Sequence, residues 1–296
     1  MLSILIPTFN DPVYELVKEI HLQCCEAKIT FEILVFDDAS TNSNCTDSNL
    51  KINTFSHTNY TILNQNIGRS AVRNKLAQTA KFDWLLFLDA DVLPNSRAFI
   101  SSYLQQDYLE YDVVFGGFTY DEDDYSKQCS LRWRYGQKYE QKKAVLRNDS
   151  PTRHTISANV LIKKSKFIAL NLEEKNRYGM DIRFGVLLKQ FNCLILHIDN
   201  EVIHKGLESN SIFIEKTEQS ILTLLYFFKK DKIKKKDHKL LKFYFTLRNL
   251  NLHLILRFTL PFLLPCLKIN LQGNYANPAL LQCYKLLYLS KHLTNN

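Results

Sequence analysis

The chain has 296 residues, 46% hydrophobic and 23% charged, with a formal net charge of +8, a composition ordinary for a folded soluble protein with one large core or two small ones. Seven cysteines, odd in number and without Cys-x-x-Cys spacing, fit reduced thiols in a cytosolic protein better than a disulfide scaffold. The positive charge points to anionic partners, nucleotide phosphates, acidic lipid or nucleic acid, without choosing among them.

Leu2 to Ile6 is an apolar run closed by Pro7; it reads as a buried first strand and lacks the pattern of a secretory leader. Leu16, Val17, Ile20 and Leu22 then recur at helical spacing within residues 14–25, and Ile33 to Phe36 is a second apolar run ending in Asp37 and Asp38. Strand, helix, strand opens a parallel sheet. Residues 60–63 predict a third strand, Gly68 a turn, residues 70–80 a helix, Trp84 to Leu88 a fourth strand and residues 96–106 a further helix. Residues 112–120 predict a strand containing Gly116 and Gly117, residues 126–147 a basic, aromatic-rich helical stretch, residues 154–167 a strand entering a helix, and residues 178–191 a helix with Asp181 near its start. A last strand ends near His204, and beyond about residue 210 the chain reads as helical and basic. No stretch reaches the roughly 20 apolar residues that cross a bilayer; the nearest, 258–267, is broken by Pro261 and Pro265.

This alternation predicts a doubly wound α/β sheet, whose ligands sit beyond the carboxyl ends of the strands. Three polar clusters, Thr8 to Asp11, Asp37 to Ser40 and Asp89 to Asp91, each follow an apolar strand, so they should converge at one edge. Asp89 and Asp91, one alanine apart, repel unless a cation or hydrogen-bond donors compensate. Mg²⁺ or Mn²⁺, held by one or two carboxylates and completed by substrate phosphates, does so. A solvated turn with an Asp helix cap is the commoner explanation of a bare Asp-x-Asp; here the apolar strand Trp84 to Leu88 that the pair terminates and the second acidic pair at an earlier strand end favour the cation.

The segments "SILIPTFND", "EILVFDDAST", "NQNIGRSAVRN" and "LLFLDADVLP", followed by "GGF", "SANVLIKKSKF", "YGMDIRFG" and "HIDNEVIHKGLES", resemble the successive signatures of family 2 glycosyltransferases, inverting nucleotide-sugar enzymes of the GT-A fold, and within them those of polysaccharide clusters in Bacteroidota. The resemblance implies a Rossmann-like, mostly parallel sheet over residues 1–215, with nucleotide-binding half 1–110 and acceptor half 111–215, and a helical extension over 216–296. It further implies that Pro7, Thr8 and Phe9 line the base pocket, that Asp38 bonds base or ribose, and that Gly68 admits the nucleotide. Arg69 or Arg73 would face the diphosphate, Asp89 and Ala90 would meet the ribose or sugar, and Asp91, with His204 nearby, would hold Mn²⁺ or Mg²⁺. Asp181 would be the general base. Relatives usually carry a second carboxylate where this chain has Met180, so Asp181 stands alone in that role.

The expected reaction is transfer from a nucleotide-diphosphate sugar, UDP first, to a glycan or lipid-linked glycan. The competing readings are an inactive nucleotide-sugar-binding or scaffold protein and a nucleotidyltransferase. The residues alone leave plainer roles open: an Asx turn at Asp38, a helix-dipole contact at Asp181, a structural histidine at 204 and a solvated basic face for Arg69 and Arg73. Residues 229–271 pair a cationic run with apolar helical segments, which suits peripheral attachment to the anionic inner face of the cytoplasmic membrane; packing on the domain or a homodimer are the alternatives. No nucleic-acid module is present in the sequence, and nucleic acid is not expected as a partner.

Overall fold

The computed structural model describes residues 1–170 and 177–294, and the chain forms two compact units interleaved in sequence. Its strands are β1 (Leu2–Thr8), β2 (Phe31–Asp37), β3 (Thr58–Ile62), β4 (Trp84–Leu88), β5 (Val92–Pro94), β6 (Val113–Phe115), β7 (Phe118–Thr119), β8 (Asn159–Lys163), β9 (Ile195–His197) and β10 (Val202–His204). Its helices are α1 (Tyr14–Glu26), α2 (Ser43–Leu50), α3 (Arg69–Thr79), α4 (Phe99–Ser102), α5 (Ser130–Tyr135), α6 (Ala144–Asn148), α7 (Lys164–Leu170), α8 (Asp181–Gln190), α9 (Asn210–Lys229), α10 (Lys239–Asn249), α11 (His253–Gln272) and α12 (Pro278–Thr294).

The first unit comprises Met1–Asp121, Glu140–Asn176 and Leu187–Gly206. Its main sheet runs β3-β2-β1-β4-β8-β6-β9, with β8 alone antiparallel to its neighbours, so the expected mostly parallel α/β architecture holds. β1, β2 and β4 are almost wholly buried, as strands covered on both faces should be. A small sheet, β5-β10-β7, sits beside it.

Two expected strands each turn out to be two, shared between the sheets. Residues 112–120 divide into β6 and β7, and the last apolar run into β9 and β10. The first division happens at Gly116–Gly117. A Cβ at Gly116 would lie 2.3 Å from the Asn159 Nδ2 and Tyr103 hydroxyl atoms, and Gly117 has φ +95°, a backbone region that side chains resist. Tertiary contacts also override local pattern at the expected helix 96–106, which shrinks to α4 and a 3₁₀ turn at Gln106–Glu110. There the Gln23 carboxamide accepts from the Ile100 amide and donates to the Ser96 carbonyl, both at 3.0 Å, replacing helical bonds. The 126–147 stretch breaks into α5, a π-helical turn at Gly136–Glu140, and α6. α2 shows no apolar period because its buried positions are Cys45 and Asn49; Asn49 ties it to the Asp11 carbonyl and the Val13 amide.

The second unit comprises Glu122–Tyr139, Arg177–Val186 and Leu207–Asn296. It is helical, and buries two apolar clusters, one around Ile221, Leu224, Phe227 and Leu241, the other around Leu131, Ile214, Leu271 and Tyr284. No helix among the described residues is long and apolar enough to cross a membrane.

Candidate functional site

The register of the parallel strands gathers the polar clusters. Thr8 pairs with Asp37, and Leu5 with Phe87; continued for three residues, the second pairing sets Thr8 level with Ala90. The loops after β1 and β2 are then tied together. The Asn10 amide donates to the Ser40 hydroxyl at 2.7 Å, and the Asn10 carboxamide oxygen accepts from the Thr41 and Asn42 amides at 2.8 and 3.0 Å. Asn10 and Ala39 both have positive φ, 60° and 61°, a strain of roughly 1 kcal/mol or more for alanine that these bonds hold in place.

A cavity of about 430 Å³ opens at this edge, lined by Pro7, Thr8, Phe9, Asp11, Asp38, Asn66, Arg69, Val72, Asp89, Ala90 and Asp91. Eight of the expected site residues, both members of the Asp-x-Asp pair among them, therefore share one space. Phe9 is 45% exposed, an aromatic face left open at the rim. Asp11, Asn66 and Val72 were not singled out from sequence, although the first two belong to the loops the motifs mark.

The acidic residues differ in what they hold. Asp37 is fully buried and accepts from the Ser40 amide at 2.7 Å and the Tyr60 hydroxyl at 2.5 Å, which pushes the Tyr60 phenol up, burial acting first and the Asp37 bond second. Asp38 uses one carboxylate oxygen on the Ile67 amide at 2.7 Å and the other on the Gly68 amide at 2.8 Å. It thereby fixes the turn into α3, where Gly68 has φ 90° and ψ 155°. Asp89 takes Arg69 at 2.5 Å and Arg73 on its other oxygen. Arg73 is buried, bonds the Ser157 carbonyl at 3.1 Å and stacks on Phe87; Arg69 is half exposed and lines the cavity. Gly68 and Arg73 thus stand behind the cavity wall, acting on it through Asp38 and Asp89.

Asp91 lies 3.3 Å from His204 Nε2. β10 pairs antiparallel with β5, His204 opposite Val92, so the small sheet delivers the histidine to the residue just before β5. His204 packs against Phe118 and Tyr120, and its buried Nδ1 has no hydrogen-bond partner among the described residues. Burial pushes the Asp91 carboxyl up, but the hydrogen bond and charge of His204, then Arg69, outweigh it and hold the group below its ordinary range. Among the described residues no three His, Cys, Asp or Glu side chains gather as a metal cage. The pair still fits Mg²⁺ or Mn²⁺, which take one or two protein donors and fill the shell with phosphate and water oxygens.

Asp181 opens α8 and belongs to the second unit. Met180 packs against the apolar cluster around Leu224, which accounts for a side chain there that carries no charge.

Several solved structures share this fold. The mannosyltransferase PcManGT from Pyrobaculum calidifontis, in complex with GDP-Man and Mn²⁺, gives a TM-score of 0.61 at 14% identity over 100% of this chain and 87% of that one. Glucosyl-3-phosphoglycerate synthase from Mycobacterium tuberculosis, in complex with Mn²⁺, UDP and glucosyl-3-phosphoglycerate, gives 0.52 at 14% over 76% and 79%. S. aureus TarS 1–349 in complex with UDP-GlcNAc gives 0.51 at 17% over 76% and 66%, so the match spans just under two thirds of that fragment. Identities this low establish the fold alone. No curated protein sequence matches. Residues 3–170, more than half of the chain, match the family described as Glycosyl transferase family 2: the chain belongs to that family.

Proposed function

We propose that the protein transfers a sugar, with inversion, from a nucleotide-diphosphate sugar to a hydroxyl of a glycan or lipid-linked glycan in cytoplasmic polysaccharide biosynthesis. The observation that carries this reading is one cavity lined by an open aromatic face, Phe9, a half-exposed cation, Arg69, and the Asp91 carboxylate, with His204 buried 3.3 Å from Asp91. A nucleoside diphosphate needs those three things: a surface for its base, a countercharge, and donors for a cation. Nucleotide complexes of the fold neighbours, with UDP-GlcNAc, GDP-Man and UDP, support the donor class; UDP is the first nucleotide to test.

In this reading Phe9, with Pro7 and Thr8, packs on the base, and Asp38 keeps the turn before α3 in place. Asp89 holds Arg69 at the cavity mouth, from where the guanidinium can turn to the departing diphosphate. Asp91 and His204 would hold Mn²⁺ or Mg²⁺, which supplies charge neutralisation for the leaving group. Asp181 accepts the proton of the acceptor hydroxyl as its oxygen bonds to the anomeric carbon; the bond from that carbon to the diphosphate oxygen breaks, and the electron pair leaves with the nucleotide.

The test is a thermal-shift and hydrolysis screen of UDP-, GDP- and other nucleotide sugars with and without Mn²⁺. One nucleotide class should stabilise the protein, by about 2.7 kcal/mol at a hundredfold excess over Kd, and more weakly without the metal. A flat response to every nucleotide sugar, with and without Mn²⁺, removes the proposal. Binding of one donor without hydrolysis or transfer to any glycan favours an inactive binding protein.

A further inference from the structure

The strongest unused feature lies in the second unit. α11 is mostly apolar, and Leu264, Leu267 and Leu271 on one side of it pack into the helical core. Leu254, Phe258, Phe262, Pro265 and Ile269 fall within an arc of about 80° on the opposite side at 100° per residue, and all five are exposed, Phe258 to 79%, Phe262 to 72% and Ile269 to 73%. Contiguous apolar surface of this kind marks an interaction site. α10 carries exposed Lys239, Lys242 and Phe243 on one face while it buries Leu241 and Tyr244 on another.

Charge identifies what covers this face. From Lys229 onward, 13 Lys and Arg stand against two Asp, a net +11; since the whole chain carries +8, the 228 residues before it sum to −3. No Asp or Glu occurs after Asp237. Lys229, Lys230, Lys232, Lys234, Lys235 and Lys236 are all exposed. A second copy of so cationic a surface repels the first, and a nucleic acid would satisfy the lysines but leave Phe258 and Phe262 in water. An anionic bilayer surface satisfies both, phosphate headgroups for the lysines and the acyl boundary for the phenylalanines.

We propose that α10 and α11 form an interfacial membrane-docking surface, with the outer face of α11 inserted at the headgroup boundary of an anionic leaflet and the lysines of 229–242 around it. This adds to the proposed acceptor class the surface that brings the protein to it. It rests on the second unit alone.

The test is flotation of the full chain with phosphatidylcholine vesicles, with and without one third phosphatidylglycerol. Binding should require the anionic lipid and fall as salt rises. Lys230→Gln/Lys236→Gln/Lys242→Gln should weaken partitioning on the order of a hundredfold, at about fivefold per charge. Phe258→Ser/Phe262→Ser should weaken it at least about tenfold. All five residues are exposed, so circular dichroism and thermal midpoint should not change. The proposal is overturned by absence of binding at low salt, by equal binding to neutral vesicles, or by indifference to either variant. It is equally overturned if light scattering shows a dimer that Phe258→Ser/Phe262→Ser dissolves and no vesicle binding occurs. The assay contains no nucleotide, so its failure leaves the sugar-transfer reading standing, and a failed donor screen leaves this one.

Discussion

The sheet unit and the helical unit place their polar residues by opposite rules. In the first, charged groups stand one by one at strand ends, each with assigned partners: Asp37 on Tyr60, Asp38 on the α3 turn, Asp89 on two arginines, Asp91 on His204. In the second, pairs such as Lys268 with Glu218 and Lys216 with Glu208 stand beside a massed, exposed run of lysines at 229–236, and the interior is two apolar clusters. The difference teaches where to look for chemistry. Individually partnered carboxylates around a cavity have fixed positions and can orient a ligand, whereas a run of solvated lysines sets affinity for a surface without fixing geometry.

Asp181 puts that contrast under most strain, because it is a proposed reacting group in the helical unit. Asp181→Asn should lower the transfer rate by about 10²–10⁴ while the donor Kd, from calorimetry with a nonhydrolysed nucleotide, stays within about twofold. A near-normal rate would mean that the helical unit contributes no group to the reaction and that the sheet unit holds the base.

The next largest effect concerns the interior behind the sheet edge. His197 is buried, stacks on Phe115, accepts from Arg147 at 3.1 Å and faces the Pro151 carbonyl at 2.9 Å. Burial, with Arg147 and His154 adding to it against the opposing Pro151 bond, pushes its pKa down to about 4. The folded pKa lies below the unfolded value of about 6.5, so this stability is complete above pH 6.5 and is lost as pH falls towards 4. By pH 5 the loss should reach up to about 2 kcal/mol. His238 in the helical unit is held near 4 by burial and then Lys285; it is half-buried, so its share should be smaller. Urea unfolding at pH 7 and pH 5 separates them: His197→Asn should remove most of the pH dependence and His238→Asn the lesser part. The reverse ranking would make the helical unit the acid-labile one.

How far the sequence discloses each unit follows from the same contrast. β1, β2 and β4 are continuous apolar runs ending in polar residues, a local pattern that a parallel sheet requires, so the strands and the convergence of Pro7 to Asp11, Asp38 and Asp89 to Asp91 were legible. The steps from β6 to β7 and from β9 to β10 were not, because a change of sheet leaves the alternation of side chains intact and is decided by the close fit of Gly116 against Asn159 and Tyr103. The bonding of Asp38 and Arg73 behind the cavity wall was equally hidden. It depends on loops meeting across some 30 and 16 residues of sequence. α11 shows the converse, since its apolar composition was plain but its exposed face became visible only once Leu264, Leu267 and Leu271 were seen to take the other side.

The smallest predicted effect probes the sheet unit at its most exacting contact. Gly206 sits against Asp91: a Cβ there would lie 2.4 Å from Oδ2, 2.8 Å from Cβ and 2.9 Å from Cγ, so the whole Asp91 side chain must move. Its φ lies outside the left-handed region, and alanine therefore imposes no backbone strain of its own. Gly206→Ala should accordingly fold normally, turn the Asp91 carboxylate away from His204, and lower Mn²⁺-dependent nucleotide affinity about tenfold, the scale on which displaced groups around a metal act. Affinity measured without metal should change little, since Phe9, Asp38 and Arg69 are untouched. If titration instead shows equal losses with and without Mn²⁺, Asp91 serves the cavity wall rather than the cation. The Asp91–His204 pair would then be one more of the fixed partnerships that hold this edge together, like Asp38 with the α3 turn.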